Sequence, residues 1–549
     1  MKSLSIIYPQ LITNFYHMNK ISNIFPLDIF SIKKLGVESW HKNFYWPVTI
    51  NEYEQIENSL LDSFDKIYSI QENNKIMDSL WVLYPRLLAN LCLLIHNKLV
   101  LDRISNKTIA FDYNNTKCNK ITISNYYWDI LINNKKIKFP PIENTFFSTY
   151  NYRLRAKVSS IKNLFLNYGL TGIRPKMQNN NLCFVIEPIS SDMIDYSKQK
   201  KKTIIYIDPY KYKLNKIPKI EEKDLNGVVE LFIENIIKDY KTMFSTNQTQ
   251  QIKSSFKKQV QLIININAHN SSLYKGNKFN SFFAMRLGNP LIRSVAISCM
   301  RNGINAYGFT HGNYIGFHSE RKYSNIFFGC VNNFVAPSKA SAKLFSNSSV
   351  EFNKIYNKKI NISYIIKNSA FNRVNQNVRH LIKPSVIKKV LLVEFGLGFD
   401  HQSWPFYLDF ILNIGKTIRT NSQLISMIKR RPERLEESKD VYNQFFDKCI
   451  DKPFEDVFGK ADIIIFPRIT TTTFGFSLFT NLPIIIFSHS LVNVNNETIN
   501  DLYQRCNVIN SSVCKKGKIR FDENKLLKVL NGDFISSTAN YINKYCLDN

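Results

Sequence analysis

The stretch that decides the fold spans residues 461–487 and reads ADIIIFPRITTTTFGFSLFTNLPIIIF. Two isoleucine-rich runs, at 461–466 and 482–487, predict buried strands, and the segment between them predicts a short helix at 473–480. Strands that are apolar on both faces and joined by a helix are typical of a parallel sheet covered by helices. This stretch therefore predicts an α/β protein.

The same alternation continues upstream of this stretch. The sequence predicts a strand at 389–395, a helix at 405–420, a strand at 423–428 and a helix at 434–449. Four strands interleaved with helices predict a Rossmann-like domain over 386–532. A C-terminal helix is expected at 533–549.

Another Rossmann-like domain is predicted over 201–380, and residues 1–200 are interpreted as an N-terminal accessory region with the start of that domain. Its predicted strands lie at 203–207, 261–266, 304–309 and 333–338, and its predicted helices lie at 221–240, between Asn289 and Gly303, and at 339–346 with Ser338 as cap. Two such domains, joined near 373–387, would leave a cleft between two rows of strand ends, which is a common place for a large substrate.

The composition excludes a disordered chain and leaves the charge with two explanations. Of 549 residues, 44% are hydrophobic and 13% aromatic, which is enough for sizeable cores. Lys and Arg number 73 against 43 Asp and Glu, for a net charge of +30. Such an excess is typical of proteins that bind nucleic acids or anionic membranes. The chain is also rich in Asn, Ile, Lys, Phe and Tyr, so a compositional bias with dispersed lysines explains the charge as well.

The cysteines and the apolar segments bear on the compartment. Nine cysteines are scattered without a Cys-x-x-Cys pair or a Cys/His cluster at zinc spacing, so we expect a reducing compartment and no metal site. The start of the chain lacks a signal-peptide pattern, and the most apolar segment, 80–101, is interrupted by Arg86, Asn90 and His96. We expect a cytoplasmic protein that contacts the inner face of an anionic membrane.

The first candidate loop follows the predicted strand at 304–309, at the strand end where open α/β sheets bind their ligands. It contains His311, Gly312 and Asn313. Histidine can exchange a proton near neutral pH, and glycine lets the backbone approach a ligand. A structural histidine that holds the loop is the alternative.

Basic residues form the second candidate loop, where Lys429, Arg430 and Arg431 precede Pro432. Guanidinium groups suit bidentate phosphate binding, although an ordinary basic turn is an equal alternative.

Hydroxyl residues form the third candidate loop at the start of the predicted helix. They are Thr470, Thr471, Thr472 and Thr473. Hydroxyls and unpaired N–H groups at a helix start favour an anion, and a plain helix cap is the alternative.

These motifs, in this order, resemble bacterial GT-B transferases that build surface polysaccharides. The closest patterns are capsule and O-antigen transferases that use CMP-activated acidic sugars, of the Kdo or sialic-acid-like type, and the related CDP-glycerol polymer transferases. The resemblance covers roughly residues 280–490. Such families show a His-Gly pair, a His-Pro motif, a Ser/Thr pair and Gly-x-Pro. Here Arg431-Pro432 stands in place of His-Pro and Asn481-Leu482-Pro483 in place of Gly-x-Pro.

The resemblance implies roles for individual residues. His311 would be the cleft histidine, and the phosphate would contact the basic loop and the threonines. These transferases often activate the acceptor with an acidic residue, for which Glu394, Asp400 and Glu320 are the candidates. Gly396 and Gly398, in the turn after the strand at 389–395, would lie beside the donor.

The resemblance implies a metal-independent GT-B glycosyltransferase that moves a nucleotide-activated sugar onto a cell-surface polysaccharide or glycolipid. No cofactor is expected beyond the nucleotide-sugar donor, because the Asp-x-Asp motif of metal-dependent transferases is absent. Expected partners are that donor, a glycan or lipid-linked acceptor and an anionic membrane surface, not nucleic acid. The alternatives are a CDP-glycerol-type polyol-phosphate transferase and, from another class, a basic nucleic-acid-binding protein.

Overall fold

A computed structural model supplies the architecture. It describes residues 6–7, 24–70, 74–104, 107–111, 123–140, 181–207, 222–238, 240, 243–276, 279–310, 316–317, 320–369, 386–394, 404–431, 435–514, 517–535, 541 and 544–545. Within these residues the protein is α/β, with two large parallel sheets and a small parallel sheet near the N-terminus.

The N-terminal part combines the small sheet with long helices. Its elements are β1 (Ile6–Ile7), β2 (Ile24–Pro26), α1 (Ile29–Leu35), α2 (Val37–Lys42), α3 (Ile50–Ile70), α4 (Asn74–Arg103), β3 (Thr108–Ala110) and α5 (Ile123–Ile132). The strand order of the small sheet is β1-β3-β2.

The first large sheet is built from alternating strands and helices. Its elements are β4 (Leu182–Val185), α6 (Ser191–Gln199), β5 (Thr203–Tyr206), α7 (Glu222–Lys238), α8 (Thr246–Tyr274), β6 (Ser281–Ala284), α9 (Pro290–Arg301), β7 (Asn305–Phe309), α10 (Arg321–Phe328), β8 (Asn333–Ala336), α11 (Lys339–Tyr356) and β9 (Asn361–Tyr364). Its strand order is β5-β4-β6-β7-β8-β9. Phe184 packs on one face of this sheet and its neighbours Cys183 and Val185 pack on the other, which explains why β4 is apolar throughout.

The second large sheet has the doubly wound order. Its elements are β10 (Lys389–Val393), α12 (Trp404–Arg419), β11 (Ile425–Lys429), α13 (Leu435–Ser438), β12 (Lys448–Ile450), β13 (Ile463–Ile465), α14 (Thr472–Ser477), β14 (Ile484–Phe487), α15 (Asn496–Arg505) and β15 (Asn507–Ile509), followed by the hairpin β16 (Ser511–Val513) and β17 (Ile519–Phe521) and by α16 (Glu523–Leu530). The order β12-β11-β10-β13-β14-β15 reverses direction between β10 and β13. This is the strand order of the Rossmann fold.

Two predicted elements are wrong. Residues 261–266, predicted as a strand, lie inside α8, because Phe256, Val260, Ile263 and Ile264 recur at helical spacing and are buried on one face. The predicted helix at 434–449 is only the single turn α13, and the chain then forms the edge strand β12, whose Lys448 pairs with Met427. The sheet therefore has six strands instead of four, because the sequence interpretation missed both the polar edge strand β12 and the three-residue strand β15.

Helix α4 joins the cores of both large sheets. Its apolar residues from Ile76 to Ile95 belong to the core beside the first sheet, whereas Val100 and Leu101 belong to the core beside the second. The sequence predicts that polar residues interrupt this segment too often for it to cross a membrane, but by length and composition the helix at 75–103 could do so. However, 78% of its most apolar stretch is buried inside the protein. We therefore interpret α4 as the central core helix of the molecule.

Candidate functional site

The candidate site lies where the strand order of the second sheet reverses, between β10 and β13. Ligands of open α/β sheets bind outside the carboxyl ends of the strands at such a point. Glu394 directly follows β10, and Arg468 follows β13 by three residues. Within the described part of the chain, the segments that follow β10 and β13 therefore bring Glu394 and Arg468 to this crevice.

Arg468 is the cation at this crevice. Its guanidinium lies over the ring of Tyr407, 5.6 Å from the ring centroid. Burial alone would lower the pKa of Arg468, but Tyr407, Tyr323, Glu320 and Glu57 together raise it. The side chain therefore stays positively charged in a partly desolvated place, where its attraction for an anion is stronger than in water.

Residues from the first large sheet and from α3 reach the same place. Lys322 Nζ lies 2.9 Å from Glu57 Oε2 and 2.9 Å from Glu320 Oε2. The two large sheets with their helices are called the first and the second unit. Asn493, from the second unit, donates from Nδ2 to Glu320 Oε1 at 3.0 Å. Glu320, a predicted catalytic residue, is thus held between Lys322 and Asn493 and links the two units. The sequence pattern did not indicate the contact with Asn493, because Asn493 is 173 residues away from Glu320.

Glu394, another predicted catalytic residue, is buried and holds the basic loop in place. Its Oε2 accepts a hydrogen bond of 2.6 Å from the Arg431 backbone N–H, and its Oε1 accepts one of 2.8 Å from the Tyr442 hydroxyl. Burial raises the pKa of Glu394 to about 7. Since both oxygens are engaged inside the protein, the contacts indicate a positioning role for this carboxylate.

The three cations of the basic loop have different surroundings. Arg430 forms a bidentate ion pair with Asp451, with both N–O distances at 2.7 Å. Lys429 is buried and donates from Nζ to the Arg430 carbonyl. Arg431 is exposed and contacts Glu394 through its backbone N–H. The loop therefore has an exposed arginine, Arg431, next to one that is paired with Asp451, Arg430.

The threonine run begins a helix of one and a half turns. Thr471 caps α14, with Oγ1 accepting a hydrogen bond of 3.2 Å from the Phe474 N–H, and it also accepts one of 3.0 Å from the Thr473 hydroxyl. The Thr471 oxygen is thus used inside the helix start, which favours the cap alternative for this residue. Thr470 lies half-buried just before the cap.

Several predicted site residues lie outside the described residues. They are His311, Gly312 and Asn313 in the first loop, and Gly396, Gly398 and Asp400 after β10. The chain is described again at Gly316 and Phe317, which contact the second unit. Asn495 donates from its backbone N–H to the Phe317 carbonyl at 3.0 Å and from Nδ2 to the Gly316 carbonyl at 3.3 Å.

The predicted site residues did not include Arg468, nor two further strand-end residues, His489 and Glu187. His489 lies just after β14, and its Nδ1 is 2.8 Å from the Ser511 hydroxyl, while its buried Nε2 has no hydrogen-bond partner within the described part of the chain. Burial and the nearby Arg468 lower the pKa of His489 to about 3, so the ring is neutral. Glu187 lies after β4, where the first sheet reverses its order, and burial raises its pKa to about 7. A polar residue at a strand end was the signal available for both.

Glu187 is held by main-chain groups of the neighbouring strand end. Its Oε1 accepts a hydrogen bond of 2.5 Å from the Met285 N–H, and Arg286 donates from its N–H at 3.3 Å. A buried carboxylate thus lies at the reversal point of each sheet, Glu187 in the first and Glu394 in the second. Each also has an arginine nearby: Arg286 Nε lies 4.0 Å from Glu187 Oε2, and Arg468 follows β13.

Comparison with known proteins adds no assignment. No protein-family model matches the chain, and no curated protein matches it. Among the residues that the structure describes, no three His, Cys, Asp or Glu side chains come together as a group that could hold a metal ion.

Proposed function

We propose that this protein is a GT-B glycosyltransferase that moves a nucleotide-activated sugar, of the CMP-linked acidic type, onto a cell-surface glycan or glycolipid. The observation that carries the proposal is the position of Arg468 at the reversal point of a doubly wound sheet, where side chains of the first unit and of α3 also meet. A donor of this kind carries its negative charge on a phosphate. A charged guanidinium in a partly desolvated crevice is a suitable partner for that phosphate.

The proposed reaction requires positive charge near the leaving nucleotide, which arginine side chains can supply. As the bond between sugar and phosphate breaks, negative charge builds up on the departing nucleotide. Arg468, with Arg431 at the end of β11, would stabilise that charge without a metal ion. Glu394 would hold the Arg431 loop in position by accepting the hydrogen bond from the Arg431 N–H.

The acceptor belongs on the side of the first unit in this proposal. His311 would contact the acceptor or the departing phosphate from the loop after β7. The net charge of +30 would attract the anionic donor and would hold the protein near anionic lipid, where a lipid-linked acceptor resides.

A thermal-shift panel of CMP, CDP, UDP, GDP and ADP tests the proposal on the wild-type chain and on Arg468→Gln. We expect CMP to raise the melting temperature of the wild type and to have a much smaller effect on the variant. Stabilisation by CDP instead would favour the polyol-phosphate transferase. If no nucleotide shifts the wild-type melting temperature, the transferase assignment is wrong. In that case retention of bound DNA at moderate salt would favour the nucleic-acid-binding alternative.

A further inference from the structure

Helix α3, in the part of the chain to which the sequence interpretation gave no function, brings two carboxylates to the junction of the two units. Glu54 and Glu57 are three residues apart and so share one face of the helix. The ion pair of 2.9 Å between Glu57 and Lys322 fastens this face to the start of α10. Since Lys322 also contacts Glu320, the helix face is held beside the residue that bridges to Asn493.

Glu54 differs from the other carboxylates at this junction in having no partner. Glu57 and Glu320 each form an ion pair with Lys322, and Glu394 is buried with both oxygens accepting hydrogen bonds. The side chain of Glu54 is exposed, and it makes no hydrogen bond or ion pair with any residue that the structure describes. Its oxygens are therefore available to a ligand.

The charges around Glu54 come from all three parts of the junction. Lys322 and Glu320 of the first unit, Glu57 of its own helix and Arg468 of the second unit act on it electrostatically. Partial loss of hydration raises the pKa of Glu54; Lys322 opposes that rise, and Glu320 and Glu57 add to it. A carboxylate in such surroundings is a stronger base than one in water.

We propose that Glu54 is the catalytic base that accepts the proton of the acceptor hydroxyl. The inference rests on the proposed function and adds to it the group that the sequence interpretation left among Glu394, Asp400 and Glu320. In the step, the hydroxyl oxygen forms a bond to the anomeric carbon while the bond from that carbon to the phosphate oxygen breaks. The bonding electron pair leaves with the nucleotide phosphate, which Arg468 stabilises, and the hydroxyl proton passes to a Glu54 oxygen.

The test compares Glu54→Gln with the wild type, with CMP-N-acetylneuraminate as the donor, lactose as the acceptor and CMP release as the measurement. Glutamine has nearly the same size but cannot take a proton, so turnover is expected to fall about 10²- to 10⁴-fold, as for other acid–base groups. The affinity for CMP is expected to stay within about twofold, because Glu54 does not hold the phosphate. Glu230→Gln, which changes an exposed glutamate of α7, is the matched control and should behave as wild type.

Glu54→Asp separates a proton acceptor from a residue that merely supports the fold. The shorter carboxylate keeps the chemistry, so this variant is expected to recover a large part of the turnover that Glu54→Gln loses, while all three variants melt together with wild type. Equal turnover in Glu54→Gln and wild type would overturn the inference and leave the proposed function standing. Absence of CMP release in the wild type would overturn the inference, and absence of CMP binding as well would overturn the proposed function with it.

Discussion

The ring of Phe317 lies 6.3 Å from the ring of Phe474, with an angle of 63° between the ring planes. Phe317 follows the loop of His311 by six residues, and Phe474 belongs to α14, the helix that begins in the threonine run. Phe317 is 2% exposed and belongs to the core of the second unit. The described chain after the first predicted loop therefore contacts the helix of the threonine run through buried aromatic rings.

The first prediction concerns this contact. Phe317→Ala should lower the free energy of unfolding by about 3–5 kcal/mol, because it removes a buried ring and leaves a cavity. The measurement is chemical denaturation of the variant beside Phe317→Leu, which keeps most of the apolar volume and should cost much less. A loss below about 1 kcal/mol in Phe317→Ala would show that the contact does not hold the two units together.

The second prediction separates the two arginines that follow strands of the second sheet. Arg468→Gln should weaken CMP binding by about 10- to 100-fold, because a hydrogen bond to a charged group contributes about 1.5–3 kcal/mol. Arg430→Gln should leave the affinity nearly unchanged, because Asp451 occupies that guanidinium. Titration calorimetry on both variants measures the difference. Equal losses of CMP affinity in the two variants would indicate instead that the phosphate lies between the loops of Arg430 and Arg468.

The third prediction concerns the threonine run. Thr471→Ala should lower the stability by about 1 kcal/mol, because it removes the cap of α14. The double variant Thr471→Ala with Thr472→Ala should in addition weaken nucleotide binding if the run also contacts the phosphate. Denaturation and CMP titration of the single and double variants distinguish the roles. A double variant that is destabilised but binds CMP normally would identify the run as a helix cap only.

The fourth prediction concerns the pH dependence of stability at Glu187. Its pKa rises from the ordinary 4.5 to about 7 in the folded protein, so the ionised form is disfavoured by folding. The folded state therefore takes up a proton between pH 8 and pH 6, and this group should make the protein more stable by about 1 kcal/mol as the pH falls across that range.

Glu187→Gln removes this titration and no other. The melting temperature of the variant minus that of the wild type should be larger at pH 8 than at pH 6, whatever the absolute stability of the variant. The lowered pKa values of His96 and His489 contribute equally to both proteins and cancel in the comparison. A constant difference across the pH range would mean that Glu187 is already ionised without cost in the folded protein.

The sequence predicts the residues at a strand end only where an apolar run identifies the strand. The runs at 389–393 and 463–465 are apolar on both faces because helices cover both sides of their sheet, so β10 and β13 were predictable. The run at 261–266 is also rich in β-branched residues, and its prediction as a strand is wrong. The helical spacing of the buried residues is visible only over the whole length of α8. The polar edge strand β12 carried no such pattern.

The sequence by itself determined the parallel α/β class and the loops that end the strands, since both follow from local apolar patterns. The tertiary structure decided which side chains meet. Lys322 of α10 pairs with Glu57 of α3, and Glu320 accepts a hydrogen bond from Asn493, although these residues come from distant segments of the chain. Tertiary packing also decided the protonation of Glu187 and Glu394, because a carboxyl pKa depends on burial and neighbours that a one-dimensional pattern does not specify.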